Sequence, residues 1–515
     1  MVARTGTVAF EGIRVVDVDV QVQMSNGLPS FTIVGLPDKA VGESRERVRA
    51  ALHGMGLALP NKRITVNLSP ADLTKEGSHY DLPVALCLLA AMEVISVDQL
   101  DGFVVLGELG LDGKISPVGG IIAAAVHALK QRRGLVCPAT QGPQAVWAGV
   151  QPVCAPPDLL SLINHFKGNS PLPEPRAPLA QSGSTFAPAL DLSEIKGQET
   201  AKRALEVAAA GRHNLMFCGP PGAGKSMLAA RIPDLLPPMS PSEILEVSQI
   251  HSLSGQNAED GLITSRPFRE PHHTASTAAI IGGGQKARPG EVSLAHRGVL
   301  FLDELPEFNR ATLESLRQPL ETASVTIARA HAHCTYPASF QLVAAMNPCR
   351  CGHLADQSRA CSKAPLCAES YQSRLSGPLI DRIDIHADVP ALSPADMTLP
   401  PTAETTSEVA ERIRIAWEIQ SQRYQNLAPD SNAEVTGKLL DTVCQTEPAG
   451  KQLLYQATER FALSARGYAR VLRVGRTLAD LDASESVKRI HIAEALAYRQ
   501  LSHRRAVSRS QIAAE

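Results

Sequence analysis

The sequence predicts an α/β protein of three blocks. These are a mixed α/β block over residues 1–165 (the first block), a block with a parallel sheet over 190–395 (the core), and a helical block over 404–510. Three observations indicate this fold class. Valines alternate with polar residues near the amino terminus. A strand, a glycine-rich loop and a helix follow one another in the centre. Apolar residues recur at helical spacing near the carboxyl terminus.

The first block combines strand and helix patterns. Val16, Val18, Val20 and Val22 alternate with Asp and Gln, which is the period of a strand with one buried face. Further strands are predicted at Phe31–Val34 and Arg63–Leu68, and helices at Glu43–Gly54 and Leu82–Ile95. Strands and helices in this order predict an α/β domain.

Two segments complete the organisation. Residues 166–189 are rich in Pro, Ser, Gly and Ala, with almost no apolar periodicity, and therefore predict a linker. In the helical block, helical spacing is found at Ser407–Gln425, Gly437–Cys444, Gly450–Leu463, Ala465–Leu481 and Ser486–Arg499.

Composition restricts the class of protein. The chain has 515 residues, which agrees with about three domains. A net charge of −2 gives no global basic signature, so any binding of nucleic acid has to be local. No apolar stretch is long enough to span a bilayer, and the amino terminus has no signal-peptide core. We therefore expect a cytoplasmic protein without membrane partners, in which the ten cysteines serve as thiols or metal ligands.

The segment Gly219–Ser226 fits the phosphate-binding pattern G-x-x-x-x-G-K-[ST]. The apolar run Asn214–Cys218 predicts a strand entering this loop, and Met227–Ile232 predicts a helix leaving it. Glycines allow backbone N–H groups to turn toward a phosphate, Lys225 can reach the outer phosphates, and the Ser226 hydroxyl can hold Mg²⁺. The predicted nucleotide-binding residues are Gly219, Pro220, Pro221, Gly222, Ala223, Gly224, Lys225, Ser226 and Met227.

A second apolar run, Gly298–Leu302, ends in Asp303 and Glu304. It predicts a strand buried on both faces of a parallel sheet, and ligands bind at the carboxyl end of such strands. Asp303 would then support Mg²⁺, while Glu304 would orient and polarise an attacking water. The next run, Gln341–Ala345, leads to Asn347, which we predict to contact the γ-phosphate or that water. For Gly298–Glu304 the alternative is a buried strand that ends in a solvated turn.

These motifs resemble those of an AAA+ ATPase of the magnesium-chelatase-like branch. A closer resemblance, to the YifB/ComM family, runs nearly from end to end. It is carried by Phe31–Asp38, Glu43–Ala50, Arg63–Leu68, Pro271–Thr274 and Ser373–Leu379. The resemblance implies a homo-hexameric ATPase that uses ATP and Mg²⁺ and acts on branched or single-stranded DNA without sequence preference. Its implied role is branch migration in natural transformation and homologous recombination, alongside recombination proteins.

Two arginines would complete this AAA+ site. Arg382, within Leu379–Ile385, is predicted to act across a subunit boundary as an arginine finger, with Arg374 as the rival. Arg470, in the helical block, is predicted to sense the γ-phosphate. Arginine suits both tasks because its planar cation spreads over developing phosphate charge. In this fold class the helical block is a lid domain.

The first block resembles a Lon-type protease domain, which makes an ATP-dependent protease the competing hypothesis. The position of the nucleophilic serine is held by His79, with Ser78 one residue away, and that of the catalytic lysine by Ala124. A Ser–Lys pair needs a hydroxyl and an amine. We therefore predict a non-proteolytic block that either assists ring assembly or DNA contact, or is purely structural.

Two loops are predicted to project into the pore of such a ring. Ile280–Gly290 is glycine-rich and carries Lys286 and Arg288, and Val325–His333 predicts a hairpin strand with Arg329 near its turn. Repeated around a ring, these three cations could follow DNA phosphates without reading bases. Solvated surface loops are the equal alternative.

Four cysteines cluster after Asn347, namely Cys349, Cys351, Cys361 and Cys367. Four thiolates satisfy tetrahedral Zn²⁺, so we predict a structural zinc, with His353 as a possible substitute ligand. The second pair of cysteines, Cys361 and Cys367, is spaced more widely than in the pattern of the YifB/ComM family.

Two other functions remain open at this point. The nucleotide motifs also fit a chelatase motor that remodels a metal-inserting partner, or a nucleotide-dependent regulatory scaffold. Stimulation of ATP hydrolysis by branched DNA separates the DNA motor from both.

Overall fold

The computed structural model describes residues 2–177, 190–254, 262–284, 287–328, 333–352, 354, 362, 366–392 and 404–499. Within these residues the strands form two large sheets and three two-stranded hairpins. None of the described helices combines the length and apolar character that a membrane span requires. Residues 178–189 of the predicted linker lie outside the described residues.

The first block folds around a seven-stranded mixed sheet. At its centre Val2–Glu11 pairs antiparallel with Arg14–Ser25 and parallel with Phe103–Val105. The spatial order of the strands is Ser30–Val34, Arg63–Ser69, Arg14–Ser25, Val2–Glu11, Phe103–Val105, Gly134–Val136 and Val153–Cys154. The predicted α/β class of this block is confirmed.

Helices cover both faces of this sheet. In chain order they are Lys39–Gly54, Asp81–Ala91, Ile121–Lys130, Gly142–Trp147 and Leu159–Phe166. The first two pack on one face, and the next two on the other. The first helix begins before the predicted Glu43 because the Asp38 carboxylate accepts the N–H of Val41 at 2.7 Å and caps its first turn. A short hairpin joins Glu108–Leu109 to Ile115–Ser116.

No Ser–Lys pair occupies the predicted dyad positions. His79 is buried, its Nε2 lies 2.9 Å from the Val8 carbonyl oxygen, and burial lowers its pKa to about 4. The Ser78 hydroxyl donates to Glu108, and Ala124 is fully buried. The likeness to a Lon-type domain itself stays a prediction.

The core is built on five parallel strands. Leu300 and Leu302 face one hydrophobic cluster and Phe301 faces the other, so the run ending at Leu302 is buried on both faces as predicted. The spatial order is Phe268–Arg269, Val299–Leu302, Gln341–Met346, Leu215–Cys218 and Ile385–Asp388.

Short helices and two hairpins surround this sheet. The hairpins pair Gly282–Gly283 with Arg288–Pro289, and Ser324–Ala328 with His333–Pro337, the latter at the predicted place. The core helices are Glu199–Gly211, Lys225–Ala229, Ile232–Leu235, Pro241–Ser254, Thr277–Ile281, Glu291–Leu294, Arg310–Ser315, Arg317–Thr322, Leu366–Gln372 and Gly377–Ile380. Single 3₁₀ turns lie at Ser78–Tyr80, Val97–Gln99, Ala139–Gln141, Leu192–Glu194, Leu305–Glu307 and Asn432–Glu434.

The helical block packs on one face of the core. Trp417 donates its indole N–H to the Ala209 carbonyl at 3.0 Å, and Gln420 donates to Ala210 at 2.8 Å. Its apolar side chains share one cluster with the parallel sheet. The helices, all close to their predicted bounds, are Thr406–Arg423, Gly437–Val443, Pro448–Phe461, Ala465–Leu481 and Arg489–Ala497.

The first block contacts the opposite side of the core. The N–H of Gly120 lies 2.9 Å from the Ser252 hydroxyl and 3.2 Å from its carbonyl oxygen. Ile13 packs against the core cluster that contains the hairpin of Cys334. The first block is therefore anchored to the core at the end of the helix Pro241–Ser254 and at the hairpin of Cys334.

Candidate functional site

The phosphate loop, Gly219–Ser226, connects the strand Leu215–Cys218 to the helix Lys225–Ala229. At Gly219 a Cβ would lie 2.0 Å from the Val389 carbonyl oxygen, so only glycine fits there. Gly224 caps the helix with a φ of +92°, a conformation that L side chains rarely adopt. A glycine-rich loop that leads into the start of a helix is where a phosphate binds most readily.

Lys225 is held by acceptors around the loop. Its Nζ donates to the carbonyl oxygens of Gly219 at 2.7 Å and Pro220 at 2.9 Å, and to Asn347 Oδ1 at 3.0 Å. Burial lowers the pKa of Lys225. The structure thus brings Lys225 and Asn347 together, as the sequence predicted, with an ammonium group that can exchange these acceptors for phosphate oxygens.

Ser226 and Asp303 form the second part of the site. The Ser226 hydroxyl donates to Asp303 Oδ2 at 2.8 Å. Glu270 follows the neighbouring strand, and burial together with Asp303 raises its pKa. These oxygen ligands fit Mg²⁺, which would supply positive charge to the β- and γ-phosphates when bound.

Glu304 is presented by a strained turn. Its φ is +50°, its N–H donates to Asp303 Oδ1 at 2.8 Å, and its carbonyl accepts the N–H of Glu307 at 2.7 Å. Its side chain is 51% exposed. A left-handed non-glycine residue costs backbone energy, and such residues cluster at functional sites. An exposed carboxylate beside the phosphate loop can orient a water.

One functional candidate was missed by the sequence analysis. His273 Nδ1 lies 3.6 Å from Glu304 Oε2, a contact that is an ion pair only when the imidazole is protonated. His273 had entered only as part of Pro271–Thr274. Its position after an edge strand of the sheet was the available signal, but a two-residue strand, Phe268–Arg269, is too short to recognise from a pattern.

The two predicted arginines lie beside the amino ends of the core strands, whereas the phosphate loop lies at the carboxyl ends. The Arg382 carbonyl accepts from Asn214 Nδ2 at 2.9 Å, and Asn214 directly precedes the strand that leads to the phosphate loop. Arg470 Nε lies 3.4 Å from Asp384 Oδ1, just before the strand Ile385–Asp388. A four-residue strand spans about 13 Å. The single chain therefore does not bring Arg382 or Arg470 to its own phosphate loop.

These arginines line a large cavity of about 1110 Å³. Seven arginines and five acidic residues face it, which leaves a surplus of positive charge. Two of the arginines, Arg212 and Arg266, lie over the Trp417 ring at 4.2 and 5.1 Å from its centroid. Arg470 Nη1 and Arg382 Nε have no hydrogen-bond partner among the described residues, although both side chains are at least nine-tenths buried. Arg470 Nη1 lies 3.9 Å from Asp381 Oδ1, beyond hydrogen-bond distance, so both buried guanidinium groups keep a donor that an anion could use.

Arg374, the rival finger, lies elsewhere. Its Nη1 contacts Glu307 Oε2 at 2.8 Å and the Pro306 carbonyl at 3.1 Å, close to Glu304 of the same chain. Arg382 in turn pairs with Glu321 beside the cavity.

Three of the four predicted zinc ligands come together. The sulfur atoms of Cys349, Cys351 and Cys367 all lie within 4.8 Å of one another. Cys361 and His353 lie outside the described residues. A Cβ added to Gly352 would approach the Pro221 ring to 2.4 Å, so the residue that follows Cys351 packs directly against the phosphate loop.

The predicted DNA contacts are only partly described. Arg288 is exposed in the hairpin that pairs Gly283 with it. Lys286 and Arg329 lie outside the described residues.

Comparison with known proteins identifies the family. The model described as magnesium chelatase, subunit ChlI matches residues 191–397, that of subunit ChlI of Mg-chelatase matches 20–141, and that of the ChlI C-terminal part matches 403–499. Competence protein ComM of Haemophilus influenzae is 42% identical over 496 residues, 96% of each chain. The uncharacterized protein YifB of Salmonella typhimurium is 40% identical over 497 residues, again 96% of each.

The chain belongs to the YifB/ComM family.

More distant relatives share only part of this family's chain. The magnesium-chelatase 67 kDa subunit of Heliobacterium mobile is 30% identical over 200 residues, which cover 33% of this chain and 30% of that one. Membership in the YifB/ComM family supports an AAA+ core of magnesium-chelatase type and confirms the resemblance found in the sequence. It does not assign roles to single residues.

Two substitutions should separate nucleotide binding from hydrolysis. Lys225→Ala removes the ammonium group from the phosphate loop and should abolish ATP binding. Glu304→Gln keeps the loop and should retain ATP while the hydrolysis rate falls about a hundredfold or more. Binding of a fluorescent ATP analogue and phosphate release measure the two effects.

The control is Glu459→Gln, on the exposed side of the helix Pro448–Phe461, which should leave both measurements unchanged. Turnover by Glu304→Gln at the parental rate would remove Glu304 from the catalytic role.

Proposed function

We propose that the chain is an ATP-hydrolysing motor that assembles into a homo-hexameric ring and translocates on DNA as a branch-migration helicase. The observation that carries the proposal is the separation of Arg382 and Arg470 from the phosphate loop by the length of the parallel strands. In a head-to-tail ring, the side of one subunit that carries Arg382 and Arg470 would meet the phosphate loop of the next subunit. ATP hydrolysis then needs two subunits.

Within one site the residues have separate tasks. Lys225 binds the outer phosphates in place of the acceptors it now contacts, and Asn347 orients the γ-phosphate or the water beside it. Ser226 and Asp303 hold Mg²⁺. Glu304 orients the water that attacks the γ-phosphorus and accepts its proton.

The neighbouring subunit contributes the charge that the transition state needs. The cavity has a surplus of arginine and, among the described residues, two arginine nitrogens that make no hydrogen bond, which suits a polyphosphate. Arg382 would approach the γ-phosphate as the finger, and Arg470, already oriented by Asp384, would report whether that phosphate is present. Both roles depend on the subunit interface.

DNA is the substrate that the family relationship favours. A relative 42% identical to this chain is named a competence protein, which supports work on incoming DNA during natural transformation. A chain of net charge −2 has to concentrate cations locally in order to hold DNA. Arg288, together with the predicted contacts Lys286 and Arg329 that lie outside the described residues, would do so if repeated around a pore. Recombination proteins would supply the branched DNA.

A chelatase-type motor is the second candidate. The family models that match are named for a magnesium-chelatase subunit, and a chelatase relative aligns with 33% of the chain. Such a motor would hydrolyse ATP through the same residues but would respond to a protein partner rather than to DNA.

The DNA motor predicts that branched DNA stimulates ATP hydrolysis and that ATP strengthens DNA binding. Affinity should fall steeply with salt, because each phosphate contact releases a counterion. Arg288→Ala should weaken binding and reduce the slope of log affinity against log salt by about 0.9 for each duplex phosphate that is no longer neutralised. Fluorescence anisotropy over a salt series measures both.

Lys451→Ala, at an exposed position of a helical-block helix, is the matched control and should keep the parental slope. An ATPase rate indifferent to every branched or single-stranded DNA would contradict the DNA motor and favour the chelatase-type alternative.

We also propose a structural zinc held by Cys349, Cys351, Cys361 and Cys367. The three described sulfurs are close enough to share one ion, and thiolates are the ligands that Zn²⁺ prefers in structural sites. The contact of Gly352 with Pro221 links this zinc to the phosphate loop. Removal of zinc should therefore weaken ATP binding as well as local folding.

Elemental analysis of purified protein should find one zinc per chain. Cys351→Ala should release most of this zinc and bind ATP more weakly, whereas Cys137→Ala, which removes a buried thiol from the first block, should keep both. Protein that contains no zinc and hydrolyses ATP at full rate would contradict the site.

A further inference from the structure

The first block reaches the core through the turn that joins the two longest strands of its sheet. Gly12 stands in this turn with a φ of +66°. A Cβ on Gly12 would lie 3.2 Å from the Cβ of Cys334. The same atom would lie 3.5 Å from the Thr335 carbonyl oxygen and 3.5 Å from the ring of Tyr336. The backbone of the turn therefore lies directly against the strand His333–Pro337.

Tyr336 connects that strand to the hairpin that carries Arg288. Its side chain is buried, and its hydroxyl donates to the Ala287 carbonyl oxygen at 2.9 Å. Ala287 has a φ of +45°, a left-handed conformation that a non-glycine residue keeps only when its surroundings hold it. The exposed Arg288 follows directly. The position of Arg288 therefore depends on the hydrogen bond from Tyr336.

A second contact of the first block leads to the same hairpin. The N–H of Gly120 lies 2.9 Å from the hydroxyl of Ser252, near the end of the helix Pro241–Ser254. That helix packs against the hairpin strand Arg288–Pro289 and against the helix Glu291–Leu294, which follows the hairpin. The two contacts at Gly12 and Gly120 thus meet elements that support one exposed cation.

This arrangement suits a surface that has to hold a phosphate. A cationic side chain that is ordered only when the ligand arrives loses conformational entropy on binding, which lowers the affinity. A hairpin that is already held in place avoids part of this loss. The first block supplies none of the nucleotide-binding residues and has no Ser–Lys pair at the predicted dyad positions, so support of this hairpin gives it a task in the motor.

We infer that the first block is a positioning element that holds the Arg288 hairpin in the conformation that contacts DNA, with the Gly12 turn acting through Tyr336. The inference rests on the proposed DNA-motor function and gives the first block a part in DNA binding. Gly12 and Tyr336 are positioning residues, because they act through Arg288.

Two glycines of the first block provide a matched comparison. Gly12 and Gly56 have φ values of +66° and +77°, so alanine strains the backbone at both. A Cβ on Gly56 would meet no described atom within 4 Å, whereas a Cβ on Gly12 would press on Cys334. Gly12→Ala should weaken DNA binding about twofold to tenfold, the range expected for loss of one hydrogen bond. Gly56→Ala should stay within about twofold of the parental affinity.

Tyr336→Phe tests the second step of the route, because it removes only the hydroxyl that holds Ala287. It should weaken DNA binding by a similar factor of about twofold to tenfold. Both variants should lower the slope of log affinity against log salt, as Arg288→Ala does. In a chain that already carries Arg288→Ala, neither change should weaken binding further by more than about twofold.

Three measurements on the full chain decide the matter. Fluorescence anisotropy with a synthetic four-way DNA junction and ATP, over a salt series, gives affinity and slope. Steady-state ATPase without DNA should stay within about twofold of the parental rate, because the phosphate loop and Glu304 are unchanged. Amide hydrogen exchange without DNA should be faster over residues 280–292 in Gly12→Ala and Tyr336→Phe than in Gly56→Ala.

The outcomes are distinct. Equal weakening by Gly12→Ala and Gly56→Ala would trace the effect to backbone strain and overturn the inference. Parental affinity in Tyr336→Phe, or full additivity with Arg288→Ala, would overturn it as well. If the parental protein does not bind DNA, the proposed function fails, and the exchange rates of the hairpin still decide whether the first block positions it.

Discussion

The parallel direction of the five core strands is the constraint on which the site depends. The carboxyl ends of all five strands lie on the same side of the core, so the phosphate loop, Asp303 and Asn347 come together there. The amino ends of all five strands lie on the opposite side, together with Arg382 and the partners of Arg470. Strand length separates the two groups, and no side-chain rotation within one chain can close that distance. Under the proposed function, a neighbouring subunit closes it.

The buried ion pair between Asp384 and Arg470 stabilises the side of the core that carries the arginines. Asp384 is buried, which alone would raise its pKa, but His213 and Arg470 hold that pKa below its usual range. Burial lowers the pKa of Arg470 in turn. Removing one member of such a pair leaves the other charged and unpaired, which is strongly destabilising. The pair therefore fixes the helical block on the core and aims Arg470 into the cavity.

The sequence predicted the features that depend on local pattern. The phosphate loop, the acidic pair after Leu302 and the helices of the helical block follow from spacing over a few residues. The position of Arg470 beside the amino ends of the core strands depends on how the helical block packs through Trp417 and Gln420. The spacing of residues in the sequence does not encode this packing. His273 was missed because its strand has only two residues. Cys349, Cys351 and Cys367 were predicted from their clustering in the sequence, and the closeness of their sulfur atoms is a tertiary result.

Subunit mixing tests most directly whether the ATPase site is shared between neighbours. Arg382→Ala and Lys225→Ala should each be inactive alone, yet in a random mixture about one interface in four unites an intact Lys225 with an intact Arg382. We predict that activity returns in that mixture. A parallel mixture of Arg374→Ala with Lys225→Ala should show no such return if Arg374 serves only its own chain. Mixed rings that assemble normally and stay inactive would contradict the shared site.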